Sequence, residues 1–198
     1  MRGMDFPKIL FALYLLLFFA LAANPYDRTV WFAENLPIML IVGILVFLYW
    51  KGIQFSNTAY ILMSFLIAMH TIGGHYTFAR VPFGWVTQLF GFERNQYDRF
   101  AHVTVGFYAF AMAEAATRHK LTKNRWTAFF FSLAVIMAVA AGYEIFEWQF
   151  AVLGDPNAGI AVLGSQGDEW DAQKDMLLDT LGALLALGLF FWKEKANR

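Results

Sequence analysis

Long uninterrupted apolar runs constrain this chain more than any other feature of its sequence. Two of them are Ile9–Ala23 and Ile38–Trp50. Hydrophobic residues make up 59% of the 198 residues and charged residues only 15%, whereas a soluble domain usually carries about a quarter charged residues. The pattern therefore excludes a soluble globule and predicts membrane-spanning segments. Fifteen basic and fifteen acidic residues cancel, so no net charge points to nucleic acid as a partner.

The apolar segments predict an all-α integral membrane protein, a six-transmembrane-helix bundle with a short interfacial helix between the third and fourth spans. We place a single transmembrane domain over residues 1–198, because six spans of about 20 residues leave no room for a second domain. The chain has no cysteine, which excludes disulfides and thiolate metal ligands. The six predicted segments cover about residues 7–23, 36–50, 57–78, 98–118, 126–150 and 172–192.

Basic residues indicate how these segments are oriented, because cytoplasmic loops are enriched in Lys and Arg. With the N-terminus inside, ten basic residues fall in inner segments and five in outer segments. The stretch 154–170 has no Lys or Arg, as expected of an outer loop. We therefore predict that both termini are cytoplasmic. The five outer basic residues are Arg28, Arg80, Arg94, Arg99 and Lys174.

Ionisable residues within spans are costly in hydrocarbon and usually mark a functional site or a water-filled cavity. The predicted topology brings three histidines and seven carboxylates to helix ends on the outer side. Seven carboxylates cannot all stay ionised in a partly dehydrated site without countercharge, and a bound cation is the simplest source of it. The ten residues are His70, His75, Asp98, His102, Glu144, Glu147, Asp168, Asp171, Asp175 and Asp179.

Helical spacing groups these residues by face. Asp98 and His102 are four residues apart and share a face, as do the two glutamates, which are three apart. The aspartates at 171, 175 and 179 form one stripe, continued by small residues from Gly182 onward that allow close helix approach. His70 and His75 diverge on an unbroken helix, so we expect the glycines at 73 and 74 to unwind the turn between them.

The leading hypothesis is a membrane-embedded enzyme, a hydrolase or group transferase, that uses a divalent metal ion on a lipid or lipid-linked envelope substrate at the outer side. Zinc, manganese and iron suit mixed imidazole and carboxylate ligands, whereas an all-oxygen set suits magnesium or calcium. The predicted metal ligands are His70, His75, His102, Asp168, Asp171, Asp175 and Asp179. The predicted catalytic residues are Glu144, Glu147, His102 and Asp98, with one glutamate as general base. The residues predicted to orient a polar headgroup are Tyr76, Tyr97, Arg99 and Gln173.

Other interpretations are open at this point. A non-enzymatic protein that binds or transports a divalent cation or protons would use such polar groups equally well. A structural or partner-binding membrane subunit is a third interpretation, but it leaves the carboxylates unexplained. Glu114 lies about three turns inward from His102, so we expect it to pair with a different polar group. His119 is expected at the surface.

Four stretches resemble the hallmark segments of the YjdF-like bacterial inner-membrane proteins. The resemblance extends from about residue 55 to residue 190 and implies a multi-pass protein of the bacterial plasma (inner) membrane. The four stretches are His70–Pro82, Tyr97–His102, Tyr143–Trp148 and Gln166–Met176.

A looser resemblance reaches the VanZ-like proteins, which are linked to glycopeptide resistance. Their pattern has an Asp and a His four apart at one helix start, a Glu on the next helix, and then Asp-x-x-x-Asn-x-x-Gly-Ala. Asp98 and His102 fill the first places, a predicted catalytic glutamate the second, and the stretch Asp175–Ala183 the third. Asp179 stands where that family usually has Asn, and the added negative charge strengthens the case for a cation.

Overall fold

The computed structural model describes residues 5–154 and 156–196 and is all-helical, with no strand in either range. Three of its helices, those beginning at Arg28, Arg125 and Asp171, are long and apolar enough to cross a membrane. The described helices are α1 (Phe6–Ala22), α2 (Arg28–Trp50), α3 (Asn57–Tyr76), α4 (Gly84–Phe90), α5 (Tyr97–Gly106), α6 (Tyr108–Arg118), α7 (Arg125–Leu153), α8 (Pro156–Leu163) and α9 (Asp171–Ala196).

The helix α2 begins eight residues before the predicted second segment, so that boundary is wrong. Asp27 caps the helix, since its Oδ1 accepts hydrogen bonds from the N–H groups of Thr29 and Val30 at 2.8 and 3.0 Å. Two further turns are therefore helical, and they carry Glu34 into a buried position. Pro37 lies inside the helix without ending it.

The predicted fourth segment, 98–118, is two helices that meet at Phe107. The N–H group of Phe107 donates to the carbonyl of Thr104 at 3.2 Å, which is the tighter bonding of a 3₁₀ turn. The Thr104 hydroxyl donates back to the Ala101 carbonyl at 2.6 Å, a bond that bends helices. The short helix expected before this segment is α4, whereas α8 was not predicted.

The closest helix crossing is between α5 and α9. A Cβ atom on Gly182 would lie 2.0 Å from the Val103 carbonyl oxygen, and one on Gly106 would lie 2.2 Å from the Ala183 nitrogen. Only glycine fits at either position. The prediction that small residues on the last helix allow close approach is therefore confirmed.

Polar contacts show which helix ends lie together. The Ser56 N–H group before α3 donates to Glu114 of α6 at 2.8 Å, and Lys193 near the end of α9 donates to Thr58 of α3 at 2.6 Å. The start of α3 and the ends of α6 and α9 thus share one end of the bundle, with the largest apolar core cluster between α3, α6, α7 and α9. The candidate site lies at the opposite end.

Candidate functional site

A cavity of about 110 Å³ lies between α2, α3, α5, α7 and α9. Its apolar wall is formed by residues such as Ile38, Leu66 and Phe78. Its polar wall consists of two histidines, a tyrosine and four carboxylates, which five helices contribute. These residues are Glu34, His70, Asp98, His102, Tyr143, Glu147 and Asp179.

His102 is surrounded by three aspartates. Its Nδ1 lies 3.2 Å from Asp179 Oδ1, and its Nε2 lies 3.6 Å from Asp98 Oδ1 and 3.9 Å from Asp175 Oδ1. One ligand atom each from His102, Asp98 and Asp175 falls within 4.8 Å of the other two. Imidazole and carboxylate donors at this spacing are compatible with a metal such as zinc or manganese. The structure thus brings together three of the predicted residues with chemistry suited to a metal.

Two arginines supply much of the countercharge for the acidic cluster. Arg99 forms ion pairs with Asp175, with Asp171 at 2.5 Å and with Asp168 at 3.1 Å. Arg94 forms ion pairs with Asp171 and, at 3.5 Å, with Asp98. Asp168 and Asp171 therefore lie with the arginines outside the cavity. Arg99 thus neutralises part of the acidic cluster, and its ion pair with Asp175 is made to Oδ1 of that carboxylate.

Asp168 lies in the loop before α9. Lys174 donates to both of its carboxylate oxygens, at 2.8 and 2.6 Å, and these hydrogen bonds hold the pKa of Asp168 below its ordinary value. The Trp170 N–H group and the charge of Arg99 act in the same direction. This ion pair fastens the loop to the first turn of α9.

A second histidine–carboxylate pair faces the same cavity. His70 Nε2 lies 3.0 Å from Glu34 Oε2, the Tyr143 hydroxyl donates to the same oxygen at 2.9 Å, and that hydroxyl is 3.2 Å from His70 Nε2. The sequence interpretation missed Glu34 and Tyr143. Treating the apolar residues from Val30 onward as part of the second helix would have placed Glu34 inside it.

His75 lies outside the cavity. Its Nδ1 is 2.7 Å from the Leu21 carbonyl oxygen at the end of α1. The expected unwinding at the two glycines is wrong, because α3 continues without interruption to Tyr76. The glycines instead allow close packing: a Cβ on Gly73 would lie 2.5 Å from the Phe78 ring, and one on Gly74 2.7 Å from Asn35 Nδ2.

The predicted headgroup residues are dispersed. Tyr97 is buried and its hydroxyl donates to the Met69 carbonyl at 2.9 Å, whereas Tyr76 packs edge-on against the imidazole of His75. Gln173 is exposed on α9, and Arg99 is held by the aspartates. None of these four lines the cavity.

The two predicted catalytic glutamates occupy different environments. Glu147 lines the cavity, is 9% exposed and makes no hydrogen bond or ion pair with any described residue. Glu144 is half-buried, and its Oε1 is likewise without a partner in the described part of the chain. Glu114 was expected to pair with a different polar group, and it accepts hydrogen bonds from Ser56. His119 is exposed, as expected.

The cavity has an apolar rim between α2 and α7. Val139 of α7, which is half exposed, lines it together with Pro37 and Ile41 of α2. The helices α2 and α7 make little contact beyond the Tyr143–Glu34 hydrogen bond, while α8 packs against both. A gap bordered by apolar side chains therefore leads to the polar wall from the side of the bundle.

Comparison with known proteins gives a consistent family assignment. Residues 6–196 match the family described as "Predicted membrane protein (DUF2238)". The chain is 34% identical over 167 residues to the inner membrane protein YjdF of Escherichia coli strain K12, covering 81% of this chain and 77% of that protein. No solved structure matches the chain. The chain therefore belongs to the DUF2238 family of membrane proteins and is a relative of YjdF.

Proposed function

We propose that this protein is a multi-pass enzyme of the bacterial inner membrane, a hydrolase or group transferase that acts on a lipid or lipid-linked envelope substrate at the outer side of the membrane. The single observation that carries the proposal is the polar cavity with its apolar side rim between α2 and α7. A lipid reaches such a site from within the bilayer, with its chains against apolar residues and its headgroup against the polar wall. A substrate from water has no need of an apolar rim.

The proposed topology is a six-span bundle with both termini in the cytoplasm. It is supported by the basic-residue asymmetry and by the pairing of helix ends across the bundle. In it, α1 and α3 are two spans, α5 and α6 together form one kinked span, and α4 lies in the interface. The inner-membrane location follows that of the YjdF relative.

The proposed cofactor is a divalent metal ion held by Asp98, His102 and Asp175. The fit is supported by the closeness of their ligand atoms and by the imidazole and carboxylate chemistry of the three side chains. When bound, such an ion polarises an ester or phosphate oxygen and lowers the pKa of a bound water. Asp179 holds the His102 ring in place, as carboxylates commonly do for ligating histidines.

Glu144 is the proposed general base. It is half-buried and its Oε1 has no hydrogen-bond partner among the described residues, so it is free to accept a proton from water or a hydroxyl group. His70, held by Glu34, lies on the cavity wall, where its imidazolium would protonate the leaving group and would regain its proton from the general base through water. A common origin with the VanZ-like proteins is part of this proposal and rests on Asp98, His102 and the Asp175–Ala183 stretch.

Metal analysis tests the proposal. Protein purified without chelator should contain close to one equivalent of a divalent metal, and Asp175→Asn or Asp179→Asn should lower that content while the thermal unfolding transition persists. Glu114→Gln, which changes a buried carboxylate at the opposite end, is the matched control and should leave the metal content unchanged. A metal-free wild type that gains no thermal stability from zinc, manganese, magnesium or calcium contradicts the metal-dependent mechanism.

A second candidate function is favoured by one specific observation. The His102–Asp179 and His70–Glu34 pairs both line one small cavity, an arrangement suited to proton or cation binding without chemistry. The apolar core between this cavity and Glu114 argues against a continuous path across the bundle. Proton or cation flux in vesicles containing the purified protein, absent from empty vesicles, would favour this function over the enzyme.

A further inference from the structure

Two buried carboxylates flank the apolar rim of the cavity, one on α2 and one on α7. Glu34 of α2 is 1% exposed and Glu147 of α7 is 9% exposed, and both line the cavity. Glu34 already binds His70 and Tyr143. Glu147 has no hydrogen bond or ion pair within residues 5–154 and 156–196.

The positively charged side chains near the cavity already form ion pairs with other residues. Arg94 and Arg99 bind the aspartates at the start of α9 and of α5, and no lysine or arginine belongs to the cavity wall described above. The two histidines of the wall are each held by another carboxylate. A charged carboxylate without a partner is disfavoured in a buried site, so Glu147 either takes up a proton or binds a cationic or hydrogen-donating group that the described residues do not supply.

The chemistry of the rim restricts what that group is. A metal ion needs several donor atoms close together, and within the described residues only Asp98, His102 and Asp175 meet that condition. An anionic group such as a phosphate supplies neither the positive charge nor the N–H donors that Glu147 lacks. A primary ammonium carries three N–H donors that reach separate carboxylates at hydrogen-bond distance. The apolar rim indicates that it arrives attached to a lipid.

We propose that Glu34 and Glu147 form a recognition site for the primary-ammonium headgroup of a phospholipid, which enters between α2 and α7. This inference rests on the lipid substrate of the proposed function and names its headgroup class. The small cavity accommodates an aminoethyl group, and a trimethylammonium group lacks the N–H donors that the carboxylates require.

Lipid binding to the detergent-purified, chelator-treated protein tests the site without the metal. The probes are phosphatidylethanolamine, phosphatidylglycerol and phosphatidylcholine with identical acyl chains, followed by native mass spectrometry. Wild type should bind phosphatidylethanolamine at least about tenfold more tightly than phosphatidylglycerol or phosphatidylcholine, because only its ammonium group donates charge-assisted hydrogen bonds to the two glutamates. Glu147→Gln should abolish that preference, and the buried control Glu114→Gln should retain it.

Equal binding of the three lipids by wild type, or an unchanged preference in Glu147→Gln, overturns the inference. Glu34→Gln provides an independent check, because it changes the opposite side of the rim and should reduce the preference as well. The outcome is separable from the metal experiment. A wild type that holds metal but shows no headgroup preference retains the metal-dependent enzyme and loses this site, whereas a metal-free wild type that prefers phosphatidylethanolamine retains the site and loses the metal mechanism.

Discussion

His102 Nδ1 lies 3.2 Å from Asp179 Oδ1, across the crossing of α5 and α9. The two residues are brought together by backbone approach and not by long side chains, because Gly182 is only three residues beyond Asp179 and touches the Val103 carbonyl beside His102. The geometry of this pair therefore depends on a position that has no side chain at all.

Gly182→Ala should destabilise the protein by about 1–3 kcal/mol, because the new methyl group must push α5 away from α9. Gly142→Ala on α7 is the matched control: its Cβ meets nothing within 4 Å, so helix propensity should make it neutral or stabilising by up to about 1 kcal/mol. Thermal unfolding in one detergent measures both. Equal stability of the two variants would contradict the close crossing.

Arg99→Gln should cost about 3–5 kcal/mol of stability, because it leaves the buried Asp175 without its countercharge and leaves Asp171 with Arg94 alone. Adding Asp175→Asn should recover part of that loss, since the uncompensated charge is then removed. Lys174→Gln, on a half-exposed side chain that contacts Asp168, should change stability little. Thermal melts of the wild type, the two single variants and the double variant test the coupling between Arg99 and Asp175. The coupling is absent if the stability change of the double variant equals the sum of the two single changes.

The Asp168–Lys174 ion pair should make the free energy of unfolding depend on pH in the acidic range. Because the pKa of Asp168 is lower in the folded protein than its ordinary value of 3.8, the pair stabilises the fold fully above that value. Its contribution should be lost as the pH falls from there through the lower folded pKa. Melting temperatures of wild type and Asp168→Asn should therefore converge on acidification, and parallel curves at all pH values would exclude this contribution.

Single-cysteine labelling tests the topology, and the absence of native cysteine makes it simple. Gln173→Cys is exposed at the start of α9 and should react with a membrane-impermeant maleimide in intact spheroplasts. Lys123→Cys, exposed in the turn between α6 and α7, should react only after lysis. The opposite labelling pattern would place the site on the cytoplasmic side.

The features that the sequence predicted correctly are local ones. The four-residue spacing of Asp98 and His102, and the stripe that ends at Asp179, place side chains on a helix face whatever the neighbouring helices are. The sequence also predicted the small residues at Gly182, because close crossings require them. All-helical structure follows from the length of the apolar runs.

The errors concern tertiary choices that one helix does not encode. Glycines at 73 and 74 suggested unwinding, but they accommodate Phe78 and Asn35 from other segments. The ion pairs of Asp168 and Asp171, which were predicted as metal ligands, were also missed, because the two arginines that bind them are distant in sequence. That assignment stays a prediction until metal is measured. Glu34 was missed because the Asp27 cap, two turns upstream, extends the helix beyond its most apolar part.

The glycine contact between α5 and α9 makes the two sides of the cavity mechanically unequal. Backbones that already touch at Gly106 and Gly182 have no freedom to move closer and lose tight packing if they move apart. On the other side, α2 and α7 are joined mainly by the Tyr143–Glu34 hydrogen bond and by α8. Any expansion that admits a bulky molecule must therefore occur by separation of α2 from α7, while the aspartates around His102 stay at fixed distances.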